Sequence, residues 1–260
     1  MSHSIVSASV QWFTAWDRAT FHLINEGWQC PTLDRIMPPI SDLGLGYVQV
    51  PAILALAIVL GVLQGEVRRG RDIWSAIKSR KDWVVPLLVA FALSGLGSIA
   101  CKSNVPRDRP YWFYLKEHQS GHLLDEHVHR MPTRRPLQSR GFVSGHTATS
   151  VAIAMAVTVL FWKRPRSAMR ITLAWALAIL ISLSRIYIAD HWPLDVVCGT
   201  ILGIVSGWLA VYLARRLGWI GAVENDAVGN GRIAKHRQSV ERTGVQPSHG
   251  QVIAQSAGAH

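Results

Sequence analysis

SLSRIYIADHWPLDVVCG, residues 182–199, runs from the end of one apolar stretch into the start of the next. It sets a permanent cation (Arg185), an imidazole (His191) and a carboxylate (Asp195) at the seam between them. Ionisable groups at that depth are costly unless they meet each other or a charged ligand. His191 and Asp195 are four apart, so on a helix they share a face and the carboxylate holds and polarises the imidazole. Arg185 presents a planar fork of donors suited to a phosphate. A helix-end salt bridge with a stray histidine would use the same residues, so the stretch must be weighed with its company.

Two upstream clusters supply that company. Lys102 is followed by Arg107 and by Arg109-Pro110, and Ser144-Gly145-His146 directly precedes an apolar run that begins near Thr147. Ser144 is a good N-cap and Gly145 lets the backbone approach a ligand closely. The free N–H groups at the start of the following helix form an anion site. Read blandly, these are a helix cap and positive charge flanking a span. All three clusters, however, sit at span ends on one side of the membrane.

The chain is 49% hydrophobic with mean hydropathy +0.19 and eleven Trp, too apolar for an ordinary soluble domain and too patterned for disorder. Crossing a bilayer takes about 20 apolar residues. Runs near Tyr47–Gln64, Trp83–Cys101, Thr147–Trp162, Ile171–Ala189 and Leu194–Ala214 approach that length, the third being short unless Val143–His146 extend it. The fold class expected is all-α, a multi-pass transmembrane helical bundle of five spans. At Ile5–Gly27, Trp12, Phe13, Trp16, Ala19, Leu23 and Ile24 fall at helical spacing, while Asp17, Arg18 and Asn25 interrupt the apolar run. That pattern fits a helix lying in the membrane interface better than a sixth span. Its N-terminus lacks the charged region and small-residue cleavage site of a removable signal. A Pro-containing connection, Pro31 to Gly46, follows.

Orientation follows from Lys and Arg in short loops. Arg68, Arg69, Arg71, Lys78, Arg80 and Lys81 lie between the first two spans, and Lys163, Arg164, Arg166 and Arg170 between the third and fourth. Both loops are expected in the cytoplasm, with Arg215 and Arg216 on the same side. The three clusters then face outward. The outer loop, residues 103–143, is also basic, which suits an anionic head group rather than nucleic acid. From about Gly221 the chain lacks apolar periodicity and reads as a disordered basic cytoplasmic tail. Its Arg232, Lys235, Arg237 and Arg242 would each gain about 1 kcal/mol near anionic lipid. The expected layout is residues 1–46 as interfacial helix and connection, 47–216 as the transmembrane domain, and 217–260 as tail. Cys30, Cys101 and Cys198 show neither metal-ligand spacing nor an evident disulfide pair. His118, His122, His127 and His129 form a loose cluster whose irregular spacing is weak support for a metal.

Lys102…Arg109-Pro110, Ser144-Gly145-His146 and Ser184-Arg185…His191…Asp195 together resemble the three-part signature of the type 2 phosphatidic acid phosphatase family. That superfamily includes membrane lipid phosphatases, undecaprenyl diphosphate phosphatases, glucose-6-phosphatase and soluble vanadium haloperoxidases. The resemblance covers about Asp34 to Ala214, and departs from the family at Val143, where proline usually precedes Ser-Gly-His. It implies a metal-free phosphatase with no cofactor. His191 would attack phosphorus to give a phosphohistidine, with Asp195 fixing its tautomer. His146 would serve as general acid and then base. Lys102, Arg109, Ser144, Gly145 and Arg185 would cradle the phosphate oxygens. Two histidines in opposite protonation states suggest a mildly acidic to neutral optimum.

The substrate implied is a lipid phosphate or diphosphate at the outer face of a bacterial cytoplasmic membrane. Undecaprenyl diphosphate, phosphatidic acid, phosphatidylglycerol phosphate and a lipid A phosphate all qualify. A phosphotransferase that passes the phosphate to an acceptor is the alternative within the family. A transporter is the alternative outside it, although charges grouped at span ends differ from charges at mid-bilayer on broken helices.

Overall fold

The computed structural model describes residues 2–64, 73–120, 128–129 and 140–220, with side chains from Gln11 onward. Every regular element among the described residues is a helix. In chain order they are α1 (Ser2–Asn25), α2 (Pro31–Asp42), α3 (Gly46–Leu63), α4 (Ile73–Lys78), α5 (Lys81–Asn104), α6 (Pro110–Gln119), α7 (Gly145–Phe161), α8 (Ser167–Tyr187) and α9 (Pro193–Arg216). Four of them, α3, α5, α8 and α9, are long and apolar enough to cross a membrane. The fifth apolar helix, α7, has 17 residues.

Val143–His146 do not lengthen α7 as a whole. The helix begins at Gly145, with Ser144 as its extended N-cap. A short helix is tolerable here because α7 lies inside the bundle, packed against α5, α8 and α9. Its residues Thr147 to Ala152 are all buried, so the polar residues of its N-terminal half meet protein.

The α7–α9 seam depends on small residues. Gly199, Gly203 and Gly207 recur every four positions on α9, facing the carbonyls of Ser144, Ala148 and Ala152 on α7. A β-carbon would lie 2.8 Å from the Ser144 oxygen at Gly199 and 2.6 Å from the Ala148 oxygen at Gly203. Hydrophobic burial does little between helices in lipid, so close backbone approach of this kind supplies the contact. The four-residue spacing of these glycines is the small-residue pattern of close helix packing, and hydrophobic periodicity alone does not report it.

The Pro31–Gly46 segment read as a connection is mostly the helix α2. Pro31 occupies its first turn, where a missing N–H costs nothing, and the Cys30 Sγ accepts the Leu33 N–H at 3.5 Å. Pro38 and Pro39 sit inside it and had argued against helix. Packing on α8 outweighs them. On α1, Asp17, Phe21, Ile24 and Asn25 form the buried face while Trp12, Phe13 and Leu23 stay exposed. The tail expected to be disordered, residues 221–260, lies outside the described residues.

The glycine stripe yields a direct test. Gly203→Val must push α9 off α7 and should cost about 1–3 kcal/mol, read as a fall in Tm of the detergent-purified protein. Gly95, in α5, has open space around a β-carbon, so Gly95→Ala should match or slightly exceed the parent through helix propensity alone.

Candidate active site

Four helix ends meet at one place: the C-termini of α5 and α8 and the N-termini of α7 and α9. The α8 end is closed by a reversal of the chain. Ile188 N–H donates to the Ser184 carbonyl, and the amides of Asp190 and His191 both donate to the Arg185 carbonyl, at 3.1 and 3.2 Å. Ala189 takes the left-handed conformation, φ +59°, which a non-glycine residue adopts at a cost of about 1–3 kcal/mol. The turn brings His191 back over the base of Arg185, and Pro193 then opens α9.

His191 and Asp195 therefore do not share a helical face. Trp192 is the N-cap of α9 and His191 precedes it; the pair meets through the capping turn. Asp195 Oδ2 accepts the Trp192 N–H at 3.1 Å and lies 3.5 Å from His191 Nδ1, longer than a well-formed hydrogen bond. On the other edge of the ring, Arg109 Nη1 stands 3.2 Å from Nε2. A guanidinium can only donate, so Nε2 is the acceptor and the imidazole proton belongs on Nδ1. The ring is 1% exposed. Burial first, then the charges of Arg109, Arg185 and Lys102, hold its pKa well below the ordinary histidine value. The Gly141 carbonyl works the other way. The Nε2 lone pair of His191 is turned toward the Arg109 guanidinium.

Those cations are tightly held. Arg185, 1% exposed, donates to Ser41 Oγ at 2.5 Å and pairs with Asp190 at 2.6 Å. Arg109 donates to the Asp190 carbonyl at 2.6 Å. Lys102 is in the last turn of α5, and its Nζ would lie 3.4 Å from a β-carbon on Gly145. Glycine there keeps the α7 N-terminus open toward the lysine. Ser144 is fully buried, accepts from Thr147 Oγ1 at 2.9 Å, and donates its N–H to the Asp195 carbonyl at 3.1 Å. That backbone bond fixes the entry to α7 with Val143 in the place of proline. His146 stands in the first turn of α7, half-buried, its ring so close to Gly44 that a β-carbon there would lie 2.7 Å from Cδ2.

Two residues outside the expected set complete the arrangement. Arg107 donates to Asp195 Oδ1 at 2.5 Å and pairs with Asp17 on α1. Asp17 Oδ1 also accepts the Leu194 N–H at 2.8 Å, in the first turn of α9. Burial pushes the Asp17 carboxyl up from the usual range, while the Leu194 amide and Arg107 pull it down. The chain Asp17–Arg107–Asp195–His191 thus ties the N-terminal helix to the imidazole. Asp17 had shown itself in the sequence as a carboxylate interrupting an apolar run; nothing there named its partner.

The loose histidine cluster takes a different role where it is described. His129 Nε2 pairs with Asp34 at 2.8 Å, and its backbone N–H donates to Asn25 Oδ1 at 2.9 Å. The Tyr187 hydroxyl donates to the same Asp34 oxygen at 2.5 Å. That bond first, then His129, holds the Asp34 carboxyl below its usual value. His129 fastens the outer loop to α1 and α2; His118 is exposed on α6, and His122 and His127 lie outside the described residues.

Several known proteins are similar to this chain. A lipid A 4'-phosphatase of Porphyromonas gingivalis is 33% identical over 84 residues, 32% of this chain and 34% of that protein, so the chain spans only about a third of that relative's length. Phosphatidylglycerophosphatase B of Escherichia coli K12 is 25% identical over 195 residues, 72% of this chain and 71% of that one. The crystal structure of Aquifex aeolicus LpxE superposes with a TM-score of 0.54 at 29% identity, covering 75% of this chain and 93% of that one. The PAP2 superfamily model matches residues 83–219, a segment that contains all three clusters. The chain is a multi-pass membrane protein and belongs to the PAP2 superfamily.

Proposed function

We propose that this protein is a metal-independent lipid phosphatase that hydrolyses a phosphate or diphosphate monoester through a phosphohistidine. The observation that carries the reading is His191: buried, neutral, with Nε2 facing a cradle of Lys102, Arg109 and Arg185. Nε2 attacks phosphorus while Arg109 moves its donor from the imidazole to a phosphate oxygen. The P–O bond to the lipid breaks, and His146 protonates the departing alkoxide or phosphate oxygen. His191 becomes cationic in this step, and Asp195 on the Nδ1 side stabilises it. Water, deprotonated by His146, then cleaves the P–N bond, releasing inorganic phosphate and neutral His191. Lys102, Arg109, Arg185, the Ser144 hydroxyl and the Gly145 N–H meet the charge on the equatorial oxygens. The carboxylates beside the site, Asp190 and Asp195, are engaged by Arg185 and Arg107, so phosphate charge is met by arginine and lysine.

The substrate is a lipid whose head group reaches the helix-end site while its tail stays in the bilayer. Undecaprenyl diphosphate, phosphatidic acid, phosphatidylglycerol phosphate and a lipid A phosphate share that chemistry, and the relatives' names point the same way. Lys78, Arg80 and Lys81, and the segment 163–170, lie at the opposite helix ends. They support a cytoplasmic-membrane protein whose site faces outward. The layout that fits is a phosphatase domain over 47–216, preceded by the N-terminal segment 1–46 and followed by a basic tail from 217.

His191→Ala should lower turnover by more than about a thousandfold with the Tm largely retained. Residual activity above a tenth of the parent would remove His191 from the nucleophile's role. Because its pKa is lowered, His191 stays neutral as pH falls through 6.5, so the acid limb of kcat/KM should appear only well below that pH.

Phosphate release from a panel of lipid phosphates should persist in EDTA and need no added acceptor. Vanadate adopts the five-coordinate geometry of the transition state and should inhibit far below the concentration at which phosphate does. Loss of turnover on chelation with recovery in Mg²⁺ would overturn the mechanism.

Asp17→Asn keeps the cap on Leu194 but removes the charge that holds Arg107 against Asp195. Supporting residues of this kind are worth about 10–100-fold in activity. The loss should fall on kcat with KM unchanged, whereas a general loosening of the fold would move both.

A further inference from the structure

The helix ends opposite His191 enclose a second cavity, of about 700 Å³, within the usual range of about 300–1,000 Å³ for small-molecule sites. It lies where α3 rests on α5 and α8 rests on α7, between the two outer helices. Its wall is apolar, formed by Leu60, Leu87, Val157, Phe161 and Leu173. Leu56 and Leu173, on the two flanking helices, are 52% and 63% exposed, so the slot faces the side from which a bilayer would reach it.

The mouth is basic. Arg80, Arg164 and Arg170 line it against one carboxylate, Asp82. Arg80 is only 7% exposed, and Gln64 Oε1 at 2.6 Å and the Ala76 carbonyl at 2.9 Å fix its guanidinium. Arg164 and Arg170 both lie over the Phe161 ring, their guanidinium carbons 5.8 and 5.0 Å from its centroid. Cation–π contact of this kind orients the planar fork without occupying its donors. The result is a preset cationic rim over an apolar slot.

We propose that this cavity is a binding site for an anionic glycerophospholipid of the leaflet opposite the active site, its phosphate on Arg164 and Arg170 and an acyl chain in the slot. Basic pockets between transmembrane helices attract anionic head groups in this way. A free phosphate would satisfy the rim but leave the apolar wall uncovered, and a zwitterionic lipid would fill the slot but bring a cation to the arginines. Only the anionic lipid answers both surfaces.

The test uses the full chain, purified and delipidated in neutral detergent, with Tm as readout. Dioleoyl phosphatidylglycerol, a diester with no monoester phosphate to hydrolyse, should raise Tm by roughly 5 °C at saturation. Dioleoyl phosphatidylcholine and soluble glycerol 3-phosphate should not. The double variant Arg164→Gln/Arg170→Gln should lose the shift while keeping phosphate release in lipid-free detergent. Lys163→Gln/Arg166→Gln, which removes the same charge from the same loop outside the cavity, should keep the shift. Leu173→Trp, at an exposed wall position, should weaken the shift with every arginine in place. The proposal fails if phosphatidylcholine or glycerol phosphate matches phosphatidylglycerol. It fails equally if the Arg164/Arg170 variant and Leu173→Trp both retain the full shift, or if the Lys163/Arg166 variant loses it.

Discussion

Asp195 is fully buried, and a lone carboxylate at that position would be strongly destabilising. Its two oxygens are instead divided among three donors' sides: Arg107 on Oδ1, with the Trp192 amide and the His191 ring on Oδ2. Its own carbonyl takes the Ser144 N–H. One residue thus caps α9, anchors the start of α7 and faces the imidazole. Breaking a buried pair of this type leaves an uncompensated charge worth about 3–5 kcal/mol. The fold and the reactive geometry consequently share a single support, and Asp17 extends it by holding Arg107 and the Leu194 amide together.

Much of this was legible in the chain because the expensive groups are few. An arginine, a histidine and an aspartate at the end of an apolar run have to be used for something, and Lys102, Arg109, Ser144, Gly145 and His146 also stand at helix ends, Lys102 at a C-terminus and the others at N-termini. Arg107 was visible but unassigned, since its partners Asp17 and Asp195 are 90 and 88 residues away and no local period reports such a distance. The pairing of Asp190 with Arg185 follows from the left-handed turn at Ala189. Ser41 on α2 gave no signal, because a serine in a proline-containing stretch reads as a loop. The glycine stripe on α9 is written in the sequence as a four-residue spacing, but that spacing does not name α7 as its partner.

The proposed phosphate site also fits the helix dipoles, at one helix in particular. Cations stabilise helix C-termini and anions helix N-termini. Lys102 and Arg185 stand in the last turns of α5 and α8, and Asp195 stands in the first turn of α9, where Asp17 also accepts the Leu194 amide. The first turn of α7 differs: it holds no acidic residue, and Ser144 makes no side-chain cap. Three of the four converging ends carry their complementary charge within the protein; on the proposed reading the substrate phosphate supplies it at the fourth. A phosphate placed there also faces Lys102, kept within reach by the missing side chain of Gly145. Antiparallel packing thus puts two helix C-termini and two N-termini side by side around His191.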